Sequence, residues 1–110
     1  MAKTYKVLAQ NNPAATTNVA LYTVPALTSA VLSTIAVCNQ SLTSGATINI
    51  AVRPGGATLD PKHYIVYRGY VAPADSLFLT LGVTLATTDI VTIYSTTATT
   101  SFSLFGAELT

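Results

Sequence analysis

Apolar residues recur at every second position through most of the chain. Ile48, Ile50 and Val52 are separated by Thr47, Asn49 and Ala51, and Leu77, Leu79 and Leu81 by Ser76, Phe78 and Thr80. Val31, Ile35 and Val37 share one parity, with Ser33 among them and Thr34 on the other. A period of two places successive side chains on opposite faces of a strand. Helical spacing can be traced through short stretches, but none has the charged face and end caps a helix needs. Thr, Val, Ile and Tyr dominate throughout, and these residues suit a pleated, half-buried surface.

This pattern predicts strands over 4–10, 18–24, 30–39, 46–53, 62–70, 76–82, 89–95 and 100–108. Breakers lie between them: Asn11-Asn12-Pro13, Pro25 to Ser29, Asn39 to Gly45, Arg53-Pro54-Gly55-Gly56, Ala72 to Asp75, Gly82 to Thr88, and Thr96-Thr97-Ala98. Pro fixes φ, Gly reaches positive φ, and Asn and Asp form local hydrogen bonds, so each ends a strand for its own reason. Turn signals at such short spacing predict a sandwich or a barrel, and eight short strands in one small domain pack best as two facing sheets. The expected fold is a single-domain antiparallel β-sandwich of about eight strands, with jelly-roll and immunoglobulin-like topologies both open. The domain spans 1–110, and residues 1–17 are the candidate for an extended arm reaching a neighbour.

Composition changes this picture in one respect. Only 8% of the 110 residues are charged, although half are hydrophobic, against roughly 25% charged in an ordinary soluble domain. The polar surface must come from Thr and Ser, of which there are 19 and 8. A Thr-rich β protein accounts for this, and so does a surface covered by partner subunits, because interfaces are depleted in charge. The net charge of +1 supplies no clustered basic surplus for nucleic acid. The single Cys38 excludes an internal disulfide. No apolar run approaches the ~20 residues of a membrane-spanning helix, and Met1 to Lys6 lead into a strand rather than a secretory signal. Folding in a cytoplasm is expected.

Candidate chemistry is sparse. One His, four carboxylates and one Cys are scattered along the chain, whereas acid–base catalysis needs such groups brought together. Cys38 falls at the end of an apolar strand, where a small thiol is expected to be inert packing. His63 is expected to make a surface hydrogen bond with Asp60. Zinc wants four Cys or His ligands and calcium wants closely spaced carboxylates, so no metal or other cofactor is expected. Only an ion shared between subunits at a symmetry axis is left open. Pro54-Gly55-Gly56 lacks the Gly-Lys-Ser/Thr of a phosphate loop and reads as a turn. No enzyme activity is expected.

One local cluster stands out. Lys62-His63-Tyr64-Ile65-Val66-Tyr67-Arg68-Gly69-Tyr70 holds three of the six tyrosines and two of the five basic residues. Strict alternation puts Tyr64, Val66, Arg68 and Tyr70 on one face and His63, Ile65 and Tyr67 on the other. Tyr and Arg are enriched at protein interface hot spots, and aromatic residues interleaved with basic ones also stack on bases or sugars. Tyrosines that cover a core and keep their hydroxyls wet give the purely structural account. Arg53, Lys62, His63, Tyr64, Tyr67, Arg68 and Tyr70 are therefore the candidate interface residues.

Leu21-Tyr22-Thr23-Val24-Pro25-Ala26, Thr34 to Gln40, Ile50 to Gly56, Lys62-His63-Tyr64 and Leu79 to Leu85 together resemble small virion proteins of tailed bacteriophages. The similarity spans roughly residues 18 to 108. Leu27, where a small turn residue is expected, and Arg68-Gly69-Tyr70, in place of a more acidic segment, depart from it. The resemblance implies a β-sandwich accessory protein of the virion, assembled in a host cytoplasm. A capsid decoration (cement) protein is the leading expectation. Its partners would be copies of itself and other virion proteins, the major capsid protein first. A neck, tail or baseplate component is the first alternative, and a carbohydrate-binding host-recognition module the second.

Overall fold

The computed structural model describes residues 2–110; the side chain of Leu81, third in the Leu77–Leu79–Leu81 alternation, lies outside the described residues. Eight strands follow one another: β1 (Lys3–Asn11), β2 (Val19–Thr23), β3 (Ser29–Asn39), β4 (Ala46–Arg53), β5 (Tyr64–Val71), β6 (Ser76–Leu85), β7 (Ile90–Ser95) and β8 (Thr100–Leu109). Two one-turn 3₁₀ segments, Pro54–Gly56 and Pro61–His63, lie between β4 and β5. The first sheet has the order β1-β8-β3-β6 and the second β2-β7-β4-β5. All pairings are antiparallel.

The partners β1/β8, β2/β7, β3/β6 and β4/β5 are those of one long hairpin with its tip between β4 and β5. Rolling that hairpin up adds the β3/β8 and β4/β7 pairs and divides it between two sheets. This is jelly-roll topology. An immunoglobulin-like sandwich would place its first two strands side by side in one sheet, whereas β1 and β2 lie in different sheets.

Between the sheets lies an apolar core. Leu32, Ile35, Val37, Phe102 and Leu104 from the first sheet meet Ile48, Ile50, Val91 and Ile93 from the second. Leu77, Leu79 and Val52 pack against this core from its margins, as their alternation predicts.

Strict alternation fails where the strands bulge. Ser33 is an extra residue of β3 against β8, and Leu8 an extra residue of β1, both opposite the step from Phe105 to Gly106 or Leu104. A one-residue bulge exchanges the two faces of a strand. Leu32 is consequently buried in the core while Val31 points out, so Val31 does not share a face with Ile35 and Val37. Gly106 sits at this crossover. A Cβ there would collide with the backbone of Val31 and Leu32, so the close approach of β3 to β8 requires glycine.

Two polar residues tie the loops at opposite ends. Asn39 closes one end, with Nδ2 donating to the carbonyls of Ser44, Val71 and Ala72 and Oδ1 accepting from Ser41 N–H and the Thr99 hydroxyl. Asp89 closes the other, with one oxygen accepting from Gly55 N–H and the other from Ala86 N–H. Gly55 and Gly56 adopt φ of 64° and 73°, in keeping with a turn. Part of the candidate arm is a strand of the first sheet. Lys3 to Asn11 pair with β8 along their whole length, because their alternation suits the ladder that β8 offers.

Candidate interaction surfaces

The outer face of the second sheet gathers most of the predicted cluster. Tyr64 lies opposite Ala51 and Tyr70 opposite Thr47, both outward positions flanked by core residues of β4. Val66 packs against the core instead, and Ile65 is an extra residue in the pairing with β4. This bulge brings Tyr67 onto the same side as Tyr64, and their rings meet edge to face at 4.9 Å. The two alternating faces expected for 63–70 are thus corrected. All three tyrosines point outward because β5 bulges twice.

The second bulge is held open by chemistry. Arg68 has φ of 56°, a left-handed conformation rare for a bulky residue. Its N–H donates to Asn49 Oδ1 at 2.7 Å. Arg68, Tyr67, Tyr94, Asn49, Thr47 and Thr96 line a shallow polar groove of about 520 Å³. Arg53 stands on this face but is committed, its Nε donating to Thr92 Oγ1 and a terminal nitrogen to the Ala57 carbonyl. Tyr70 is exposed, and its ring occupies the space that a side chain at Gly45 would take.

His63 and Lys62 do not join that surface. His63 is buried, and its Nδ1 accepts from the backbone N–H of Asp60 while the Asp60 carboxylate accepts from Lys62 N–H. This reciprocal cap corrects the expected surface bond: the histidine fastens the turn before β5. Lys62 is exposed on that turn. Cys38 is likewise not in the interior. Its neighbours Val37 and Asn39 point inward, leaving the thiol half-buried on the outer face of the first sheet.

That outer face has the more unusual composition. Its residues form rows across the four strands: Lys3, Leu109 and Ser29; Tyr5, Ala107, Val31 and Thr84; Val7, Phe105, Thr34 and Thr80; Gln10, Ser103, Ala36 and Phe78; Ser101, Cys38 and Ser76. Lys3 is the one ionic residue in these rows. It sits at a corner, 5.8 Å above the Tyr5 ring. Antiparallel sandwiches commonly turn polar side chains outward, yet here Tyr5 is 75% and Phe78 67% exposed. A groove of about 440 Å³ runs beside Tyr5, Val31, Phe105, Ala107 and Leu109, with Lys3 and the Glu108-paired Lys6 at its margin. Sequence inspection missed this surface because the bulges hide which parity faces out. Phe78 was its one legible signal, an aromatic ring standing between core-facing Leu77 and Leu79.

The ionisable groups are spread over the structure in separate structural contacts. Glu108 accepts from Tyr22 at 2.5 Å and pairs with Lys6 at 2.7 Å, linking β8 and β1 to β2 of the other sheet. The Lys6 bond, and then the Tyr22 bond, hold the Glu108 carboxyl below its ordinary range. Burial, and then Glu108, push the Tyr22 hydroxyl far above its own. Asp75 accepts from the N–H of Ser76. Among the described residues, no three His, Cys, Asp or Glu side chains gather as a metal site, and no helix is long and apolar enough to cross a membrane. The chain matches no protein-family model, no curated protein and no solved structure.

Proposed function

We propose that this chain is a structural subunit of a virion, a decoration protein that stabilises the capsid of a tailed bacteriophage by bridging major capsid subunits. The observation that carries the reading is the almost charge-free outer face of the first sheet, with Tyr5, Val7 and Phe78 exposed on it. Such a face is costly to keep in water and gains on being covered. The sequence resemblance supplies the setting. A protein that binds across capsid joints stabilises the shell by mass action and requires no chemistry, and repetition on a symmetric shell multiplies a modest affinity.

The test is to quantify the chain in purified particles against the major capsid subunit. A decoration protein is expected in hundreds of copies, and its removal is expected to lower the temperature at which capsids rupture. A few dozen copies or fewer would move it to the neck, tail or baseplate, and absence from particles would overturn the reading.

The groove beside Tyr67, Tyr94 and Arg68 favours a second reading, a saccharide-binding module on the opposite sheet. Aromatic rings beside hydroxyl, amide and guanidinium groups suit a sugar's apolar and polar faces. Glycan-array binding that is lost in Tyr67→Ala would support it.

A further inference from the structure

Deepening the virion reading, and resting on it for the setting, we infer that the outer face of the first sheet is a self-docking surface whose occupant is the same face of a second copy. Three observations converge on this occupant.

The first is area. The four strands have 9, 10, 11 and 10 residues. At ~3.3 Å per residue and ~4.8 Å between strands, the face measures roughly 30 by 19 Å. Two such faces bury about 1,100 Å² before side-chain relief is added, which clears the ~1,000 Å² that separates specific interfaces from incidental contacts.

The second is charge. Lys3 is the one ionic residue in the rows of the face, and Lys6 at the margin of the groove is already paired with Glu108, so the face offers a charged partner little to pair with. It also offers a second copy almost nothing to repel. A two-fold arrangement can keep the two Lys3 side chains at separate corners of the interface.

The third is relief. Phe78 projects from the edge strand β6, while the groove beside Ala107 and Val31 lies towards the opposite edge, next to Tyr5 of β1. Between them stand the smaller side chains of Ala36, Ser103 and Thr34, with the Phe105 ring at the rim of the groove. In an isologous pair every contact occurs twice. A two-fold axis lying between the faces, midway from Phe78 to the groove, seats each copy's Phe78 in the partner's groove. Aligned sheets pack ~10 Å apart, and the small side chains of Ala36 and Ser103 next to Phe78 permit that approach. The pair then presents two tyrosine faces outward, one on each side.

The experiment is sedimentation equilibrium of the full chain over a concentration series, with Phe78→Glu, Tyr5→Glu and, on the opposite sheet, Tyr67→Ala. Both glutamates replace exposed residues, and circular dichroism checks that each variant folds. The wild type and Tyr67→Ala are expected to form dimers with the same dissociation constant. Each glutamate variant is expected to weaken dimerisation at least 30-fold. A wild-type monomer at all concentrations would overturn the inference, as would dimers indifferent to both glutamates. Particle binding, measured separately, distinguishes the two ideas. Dimers sensitive to both glutamates but absent from particles would leave the pairing standing and remove the virion role. A particle-bound chain whose glutamate variants bind and sediment like wild type would do the reverse.

Discussion

Asn39 allows the fold to be tested with one side chain. It is 1% exposed, and its amide serves five partners drawn from three loops and the end of β5. Three of them are backbone carbonyls that compete for two N–H donors. A neutral hydrogen bond contributes about 1 kcal/mol net, and a buried group left unpaired costs about 1–3 kcal/mol. Removing the amide strands the buried Val71 carbonyl and the Ser41 N–H, while the part-buried partners are penalised less. Asn39→Ala is therefore expected to cost about 3 kcal/mol, or roughly 12 °C in melting temperature for a chain of this size. Asn39→Asp is the sharper variant. At neutral pH it turns a carboxylate towards three carbonyl oxygens, so the charged form is disfavoured in the folded state and the introduced group's pKa rises. A raised carboxyl pKa reverses the usual sign for an acid. The variant should be least stable above that pKa and regain stability as the pH falls towards about 4, where protonation restores a donor. Urea unfolding at pH 7 and at pH 4.5 measures both effects. An Asn39→Ala midpoint within ~0.5 kcal/mol of wild type, or an Asn39→Asp deficit that does not shrink on acidification, would refute the clamp.

Three further outcomes follow from the geometry. Gly106→Ala should destabilise by about 3 kcal/mol, since a Cβ would meet backbone that cannot yield, whereas Gly82→Ala, with open space around it, should cost little; thermal melts separate them. Glu108→Gln should cost about 1 kcal/mol at pH 7, because Lys6 stays half in water. The folded carboxyl titrates below its unfolded value near 4.3, so its contribution is complete above that value and lost as the pH falls through the folded one; the gap to wild type should close below about pH 4, and a gap constant from pH 7 to 3 would exclude the contact. Leu27→Gly should stabilise the isolated chain by roughly 0.5 kcal/mol, since Leu27 holds φ of 57°; a lower melting temperature would contradict it.

The sandwich was legible because the alternation is nearly unbroken within β4 and the first half of β6, and because breakers stand at almost every strand end. β6 was expected to stop near Gly82 but continues to Leu85, since a glycine in an edge strand marks a bulge as readily as an end. Jelly-roll topology could not be read, because strand pairing depends on contacts between distant segments that no local pattern encodes. The faces were legible only as far as the bulges allowed. Val31 and Val66 were assigned to the wrong sides, since an extra residue at Ser33 or Ile65 leaves no mark in composition. His63 illustrates a different loss. A histidine beside aspartate and proline has the look of surface chemistry, and only the burial of its ring shows that it holds a turn.

The proposed binding role gives Leu27 an account that stability of the fold alone does not. At 93% exposed it is the most exposed large apolar residue among the described residues, and it holds a left-handed backbone that a glycine would adopt freely. Both features cost free energy in the isolated chain, so selection for the fold alone would tend to remove them. The same logic applies to Tyr5 and Phe78 on a sheet face they share with Val7, Val31, Phe105 and Leu109 as well as with Thr, Ser and Ala. With its loops clamped by Asn39 at one end and by Asp89 at the other, the sandwich presents these side chains on a stiff frame. Docking a stiff frame loses little conformational entropy. A few exposed apolar anchors on an uncharged surface can then hold a partner, where a flexible chain of the same composition would need far more area.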